Sequence, residues 1–506
     1  MSDVASALSR FRQLALLHGV PQSQILILAT EAMRRAANGG QMLEAIAAAT
    51  DGLGVHILDP AVETLFGAVM GSRSGLVDVP TGALFLDLGG GSVQMTWVDT
   101  SKAGYELDAA RAGESLPYGA AKLTKVLQQQ SAHVQAQEIR TLQDGIVRIY
   151  DNLCTRFTAL NAIRKAYEAG EVATVSVYMC GGGCRGYGSM LMHNDPISPY
   201  PIPSTDTYSV PGHQFNQPTR MRQVNDKYQG SIYGMSKRRR QQFPAIATVI
   251  ESLIQAVPNI GRVTFCGGSN RQGVLMLKMA PDIRESNPLE VLADVATHEV
   301  PLFQALSTLL SSSLPPGQQP DLQSTPTVLL SGLSSLFIRK IWSRSGHLQN
   351  SNSSFALHDA LVCNPDCPGL THLARALLAL TLCARWGNDI APPDRILHDG
   401  LRSVVESHQQ GASFWALYLG AVASVVALVF PVLPHEPTKL LSSIRFETNM
   451  SETKKGKCKV NLTISLSGQA ALMVDVPELA ASFKAASKAL EEDSMYKANA
   501  EILILS

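Results

Sequence analysis

Ten residues, FLDLGGGSVQ at positions 85 to 94, constrain this chain more than any others. Phe85, Leu86 and Leu88 form a short apolar run bounded by turn residues, the pattern of a fully buried strand. Asp87 comes at its end. Gly89, Gly90 and Gly91 then strip the turn of side chains, so backbone N–H groups can approach a bulky anion, and Ser92 adds a hydroxyl. Such a turn suits a phosphate, with Asp87 placed to hold a divalent cation.

The device recurs. VSVYMCGGGCRG carries glycines at 181 to 183 and RVTFCGGSNRQG at 267 and 268, each after an apolar strand-like run. Upstream, helix and strand alternate: a helix over Val4 to His18, a strand at Ile25 to Thr30, a helix from Glu31, a strand at Val55 to Asp59, and a helix opened by Pro60. That alternation argues an α/β sheet. A strand is expected at Gln94 to Val98, helices between Leu116 and Ala169, and a loop over His193 to Gly230, which is rich in Pro, Ser and Asn. After about residue 280 helical periodicity takes over, interrupted by a linker-like SSSLPPGQQPDLQSTPT at 311 to 327. The tail changes again. KVNLTISLSG puts Val460, Leu462, Ile464 and Leu466 on one face. Leu479, Phe483, Ala486 and Leu490 then mark an amphipathic helix, and Glu501 to Leu505 a closing strand, which together make a small α+β module.

At 506 residues the chain exceeds what one core organises. Its 42 basic and 42 acidic residues cancel, so no global field draws it to nucleic acid or membrane. Eight irregularly spaced cysteines without a signal peptide read as reduced thiols, placing the protein in the cytoplasm or nucleus, with the sequons at Asn352, Asn449 and Asn461 as chance matches. The uncharged stretch from Ser413 to Pro434 is long enough to span a bilayer, yet it equally suits the central helix of an all-helical domain. Pro431, Pro434, Gly420 and the lack of flanking basic clusters favour the buried helix.

Four stretches in order, ILATEAMRRAANG, VHILDPAVETLFGAVMG, FLDLGGGSVQ and CGGGCRG, give the chain its resemblance to the exopolyphosphatase/guanosine pentaphosphate phosphohydrolase (Ppx/GppA) family. SLPYGAAKLT and CGGSNRQGVL agree more weakly, and the match covers roughly residues 1 to 280. The resemblance implies an α/β, actin/hexokinase-like (ribonuclease H-like) two-lobe fold that binds phosphoanhydride chains in the cleft between lobes. It implies an incomplete first lobe over 1–80 and a second lobe with the phosphate loop over 81–280. A helical domain over 281–435 and an α+β module over 436–506 follow, and these two look like a fungal, regulatory branch of the family.

On the family motifs, Arg34 aligns with a phosphate-contacting arginine and Glu63 with the carboxylate that orients or deprotonates the attacking water. Asp87 aligns with a metal-site acid, implying Mg2+, and Gly89, Gly90, Gly91 and Ser92 with the phosphate loop. Gly181, Gly182 and Gly183 fall where a nucleotide or terminal phosphates would lie. Phosphoryl transfer is mostly positioning and charge neutralisation, so this set would suffice.

Two departures weigh against catalysis. Family members open with a strand and an Asp-x-Gly-Ser loop that faces the glycine loop across the cleft. This sequence begins after that point, as expected of a truncated gene model or a degenerate lobe. Gln94 stands where the family usually carries Glu, removing one charge from the metal site. The expected function is therefore a regulator that senses a nucleotide or polyphosphate and signals from mitochondria to nucleus through protein partners. The alternative is an active phosphohydrolase on polyphosphate or a phosphorylated nucleotide. No nucleic acid is expected as partner, and a homodimer is compatible with the resemblance.

Other clusters read more blandly. Lys237, Arg238, Arg239 and Arg240 suit either a polyphosphate path or a solvated helix face and localisation-like patch. Cys363, Cys367 and His372 lack closed zinc-site spacing. His358–Asp359 and His398–Asp399 resemble His–Asp phosphohydrolase pairs without the further ligands such sites need, and Cys180 and Cys184 read as packing residues.

Overall fold

The computed structural model describes residues 2–70, 79–315, 326–329, 332–345, 350–363, 367, 369–452, 456–477, 479–481, 483 and 495–505. It divides into two compact units, one of residues 1–193 and 204–280, the other of 194–203 and 281–506.

In the first unit, β1 (Ile27–Ala29) and β2 (Val55–Ile57) form a parallel two-stranded sheet. A second sheet has β3 (Ala83–Leu88), β4 (Val93–Val98), β5 (Glu114–Leu116), β6 (Val175–Cys180), β7 (Ser209–Pro211) and β8 (Ile260–Phe265), in the order β5-β4-β3-β6-β8-β7. β3, β6 and β8 run parallel, and β4, β5 and β7 run antiparallel to their neighbours. Apart from Asp87, every residue of β3 and β4 is buried, because the sheet is covered on both faces. Phe85 stacks on Tyr178 of the neighbouring strand at 5.0 Å between ring centroids. Leu142, Ile146, Ile149 and Leu153 recur at helical spacing and are buried along the helix Ala132–Arg156. The parallel registers carry the ends of β3, β6 and β8 to one side, with Asp87 opposite Cys180 and Cys266 following β8. In open α/β sheets, ligands bind outside such carboxyl ends.

Two expectations change here. Gly181 to Gly183 do not make a free turn; they are the first turn of the helix Gly181–His193. The predicted loop over 193–230 contains β7 and the helices Gly212–Phe215 and Pro218–Lys227. Its prolines sit where structure tolerates them, Pro211 ending an edge strand and Pro218 in a first helical turn.

In the second unit, helices surround Ala412–Val429, of which 94% is buried. The uncharged stretch is thus a core helix here. Gly420 lets it approach the helix His372–Arg385 closely, since a Cβ there would lie 2.2 Å from the Thr381 carbonyl oxygen. The same core takes in the apolar face of a three-stranded sheet, β9 (Ile444–Glu452), β10 (Cys458–Ser467) and β11 (Tyr496–Leu505), ordered β11-β10-β9. Leu479 and Phe483 are buried as expected; Ala486 and Leu490 lie outside the described residues, as does 316–325 of the predicted linker.

Candidate functional site

The glycine turn after β3 is held by the start of the helix that follows β5. Gly89 N–H donates to the Ser92 carbonyl at 3.0 Å, closing the turn. The Gly89 and Gly90 carbonyls accept from the N–H groups of Ala120, Ala121 and Lys122 at 2.9, 3.0 and 3.2 Å, so they cap the N-terminus of the helix Ala120–Gln129. Gly119 makes this fit possible, because a Cβ there would lie 2.4 Å from the nitrogens of Gly91 and Ser92. The carbonyls are therefore spent on the helix, and Ser92 itself is buried. SLPYGAAKLT, a weak match in the sequence, turns out to be the support of the loop.

Asp87 sits beside this turn, between two glycines. A Cβ on Gly181 would lie 2.2 Å from Asp87 Oδ1, and one on Gly67 would lie 2.7 Å from Asp87 Oδ2. Gly181 also has φ +86°, so only glycine enters this helix without strain. Burial pushes the Asp87 carboxyl up to about 6; the charge of Glu63 adds to this and Arg185 opposes it. No hydrogen bond from a described residue offsets the cost. The second oxygen facing Gly67 is Asn270 Oδ1, at 2.7 Å from the same Cβ position and without a hydrogen-bond partner. Asn270 belongs to CGGSNRQG and was not singled out in the sequence.

Among the described residues no group of three or more His, Cys, Asp or Glu side chains is placed to hold a metal. Magnesium needs less, since it keeps several waters and commonly takes one or two carboxylates together with substrate phosphates. Asp87, desolvated and unpaired, with Asn270 Oδ1 facing the same gap, fits a hard cation that arrives with a phosphate chain.

Arg34 and Glu63 are brought together, but with each other. Arg34 Nη2 pairs with Glu63 Oε2 at 2.7 Å and with Glu31 Oε2 at 2.9 Å, while its Nη1 donates to the Leu58 carbonyl. Burial works against the Arg34 charge, yet the two carboxylates hold its pKa above the ordinary value. Glu31 also pairs with Arg35, and its side chain packs 3.4 Å from the Cβ position of Gly91. Gln94, opposite Asp87 across the β3–β4 ladder, is buried and accepts from Thr64 Oγ1 at 3.1 Å.

The second glycine set divides its roles. Gly183 packs on Leu88, with a Cβ position 2.5 Å from Leu88 Cγ, whereas among the described residues a Cβ on Gly182 would meet Arg239 alone, at 3.9 Å. Arg185 donates to the carbonyls of Cys266 and Gly267 at 3.3 and 3.2 Å, tying the second strand-end motif to the third. Of the basic run, Lys237 and Arg238 are exposed, but Arg239 donates to the Gly234 carbonyl and Arg240 to that of Asn225 at 2.6 Å. Burial, then the Arg185 charge, lowers the Arg239 pKa. Cys184 is pushed well up, first by burial and then by Asp87; Cys180 and Cys266 hydrogen-bond each other, so these thiols are packing groups. The His–Asp pairs do not converge. His358 meets Asp394 at 2.9 Å, Asp359 meets Lys340 at 2.6 Å, and His398 faces its neighbour Asp399 at 3.4 Å. His372 bonds Tyr200 at 2.9 Å.

The Ppx/GppA phosphatase family pattern matches residues 1–281, and the RTG2 C-terminal domain pattern matches residues 287–494. Retrograde regulation protein 2 of Saccharomyces cerevisiae is 28% identical over 446 residues, covering 85% of this chain and 71% of that protein. Among solved structures, an Aquifex aeolicus Ppx/GppA phosphatase is 16% identical over 55% of this chain and 82% of its own, with a TM-score of 0.39. An exopolyphosphatase from Cytophaga hutchinsonii is 18% identical over 53% of this chain and 78% of its own, with a TM-score of 0.37.

Proposed function

Since the chain belongs to the Ppx/GppA phosphatase family, we propose that its first unit binds a nucleotide or polyphosphate with Mg2+ and acts as a sensor without appreciable turnover. The observation that carries this reading is the pairing of Arg34 with Glu63 and Glu31. A sensor needs a seat for phosphate and cation, and the glycine turn, Gly182, Asp87 and Asn270 provide its elements. A phosphatase needs in addition a carboxylate on the attacking water and a cation on the transferred group. Here those two side chains neutralise each other, and Gln94 is neutral. When bound, Mg2+ would neutralise phosphate charge at Asp87. The chain's own residues would orient the phosphates through backbone N–H groups and keep solvent from the buried Asp87 side.

Similarity to retrograde regulation protein 2 along most of the chain supports a regulatory output. On this reading the protein is cytoplasmic and its second unit addresses protein partners that relay a signal from mitochondria to nucleus. Calorimetry with Mg2+ and a polyphosphate or nucleoside triphosphate tests the seat: Asp87→Asn should abolish Mg2+-dependent binding, and equal binding by mutant and parent would remove Asp87 from it. Steady phosphate release by the purified chain, eliminated by Glu63→Ala, would move the protein to the active phosphohydrolases.

A further inference from the structure

β11 is a ten-residue strand on the outer side of its sheet, paired to β10 in unbroken parallel register from Tyr496 to Leu505. Among the described residues no strand is paired to its other edge. Natural edges of this length are usually blunted by proline, a bulge, charge or a covering segment, because a bare row of N–H and C=O groups templates another strand. YKANAEILIL has no proline and no register break, and it leaves apolar side chains in solvent: Met495 just ahead of it 59% exposed, Leu503 43% and Ile504 60%.

We propose that this edge pairs antiparallel with the same edge of a second copy of the chain, around a two-fold axis at Asn499. A two-fold perpendicular to the sheet keeps each face continuous, so opposed residues must share a face and their numbers must sum to an even value. With Asn499 opposite itself, Lys497 faces Glu501 of the other copy twice over, and Met495 faces Leu503 at each end. On the opposite face, which is turned to the core, Tyr496 meets Ile502 and Ala498 meets Ala500. From Met495 to Leu503 each cross-strand pair is then matched in charge or polarity. Neighbouring registers lose this. An axis at Glu501 sets that carboxylate against its own copy, and one at Ala500 sets Lys497 against Leu503. The result is one six-stranded sheet running through both copies, whose self-complementarity comes from sequence spacing alone. It stands independently of what the phosphate seat binds.

Sedimentation velocity of the full chain over a hundredfold concentration range tests it, with hydrogen exchange across 495–505 as the local readout and thermal melts to confirm that each variant folds. The expected result is a reversible dimer whose 497–503 amides gain protection with concentration. Glu501→Lys and Lys497→Glu should each weaken the dimer by about tenfold or more, since each turns two attractive pairs into repulsive ones. The double variant, Lys497→Glu with Glu501→Lys, should return close to the parent. A chain that stays monomeric, a dimer that neither single variant weakens, or a double variant as weak as the singles would each overturn the proposal. So would amides in 497–503 that gain protection only from an added foreign strand-forming peptide, which would give the edge to a different partner.

Discussion

The two sheets of the first unit differ in what holds them. β1 and β2 have three residues each, none of them buried, with Ile57 41% exposed and the adjoining Leu26 44%. β3 and β4 have six each and bury all but one residue. The elements around the thin sheet carry Arg34 and Glu63, which the family motifs would set against the transferred group and the attacking water, together with Glu31, the second partner of Arg34. The thick sheet carries Asp87, the glycine turn and the helix at Gly181, the residues of the proposed phosphate seat. On the proposed reading the phosphate seat is thus anchored in a deep core, while the Arg34–Glu63 pair hangs on a marginal one.

The largest effect should come from striking the thick side. Gly181→Val places a branched side chain at φ +86°, against Asp87 Oδ1 and the Leu88 carbonyl, which a Cβ would meet at 2.2 and 2.5 Å. We expect a loss of about 3 kcal/mol or more. Gly40→Ala on the thin side meets nothing within 4 Å and lies in the helix Gly39–Ala49, so it should be neutral or stabilising by up to ~1 kcal/mol. Urea melts of the two variants decide it. A similar cost for both would erase the distinction.

Next is the buried charge. Asp87 titrates near 6 in the folded chain against 3.8 in the reference, so between those values the folded state holds the extra proton. Stability should therefore fall as pH rises from about 4 to 6 and stay lowered above. Asp87→Asn should remove that penalty, raising the melting temperature at pH 7.5 by the equivalent of up to roughly 3 kcal/mol and leaving it unchanged near pH 3.5. Binding of Mg2+ with phosphate should move the other way, weakening below pH 6 as Asp87 takes up its proton. A destabilised Asp87→Asn at pH 7.5 would show that the carboxylate serves packing.

Much of the thick side was legible in the sequence because burial and glycine leave local marks. An apolar run ending in an acid and three glycines has few structural uses. Partnership leaves no such mark. Nothing in ATEAMRRAANG says that Arg34 turns from phosphate to Glu63, twenty-nine positions away, or that Gly119 supports the turn. Asn270 was in a quoted motif, but amides are common at helix starts, and only its unpaired oxygen near Asp87 sets it apart. β9 went unread because only Ile444 and Phe446 of its nine residues are buried, too few for a visible alternation. The prolines of 193–230 misled by composition, since proline is judged by position.

A smaller effect is expected from Arg34→Ala. It would leave Glu63 buried without its partner, and Glu31 with Arg35 alone, costing roughly 2 kcal/mol. The loss should stay local. Hydrogen exchange should speed up over 27–64 while 83–98 keeps its protection, and Mg2+-dependent binding should survive. Loss of binding together with unchanged exchange would instead put Arg34 on the phosphate.

The smallest and most diagnostic effect is that of Gln94→Glu. Gln94 accepts from Thr64 Oγ1, a bond that Glu can keep, so the fold should tolerate the change. The new carboxylate would lie across the ladder from Asp87, and two acids sharing a desolvated site raise each other's pKa. The metal-free variant should lose about 1 kcal/mol at pH 7.5. Millimolar Mg2+ should restore it, because a cation that binds only the folded state stabilises by mass action. The parent, with one carboxylate, should show little response to Mg2+ without phosphate. A Mg2+-dependent rise in the variant's melting temperature, with no phosphate release, would show that the cation seat can be completed while the Arg34–Glu63 pair still blocks chemistry. Turnover appearing with this one change would mean the pair opens readily, and the thin side would then be a working half of an enzyme.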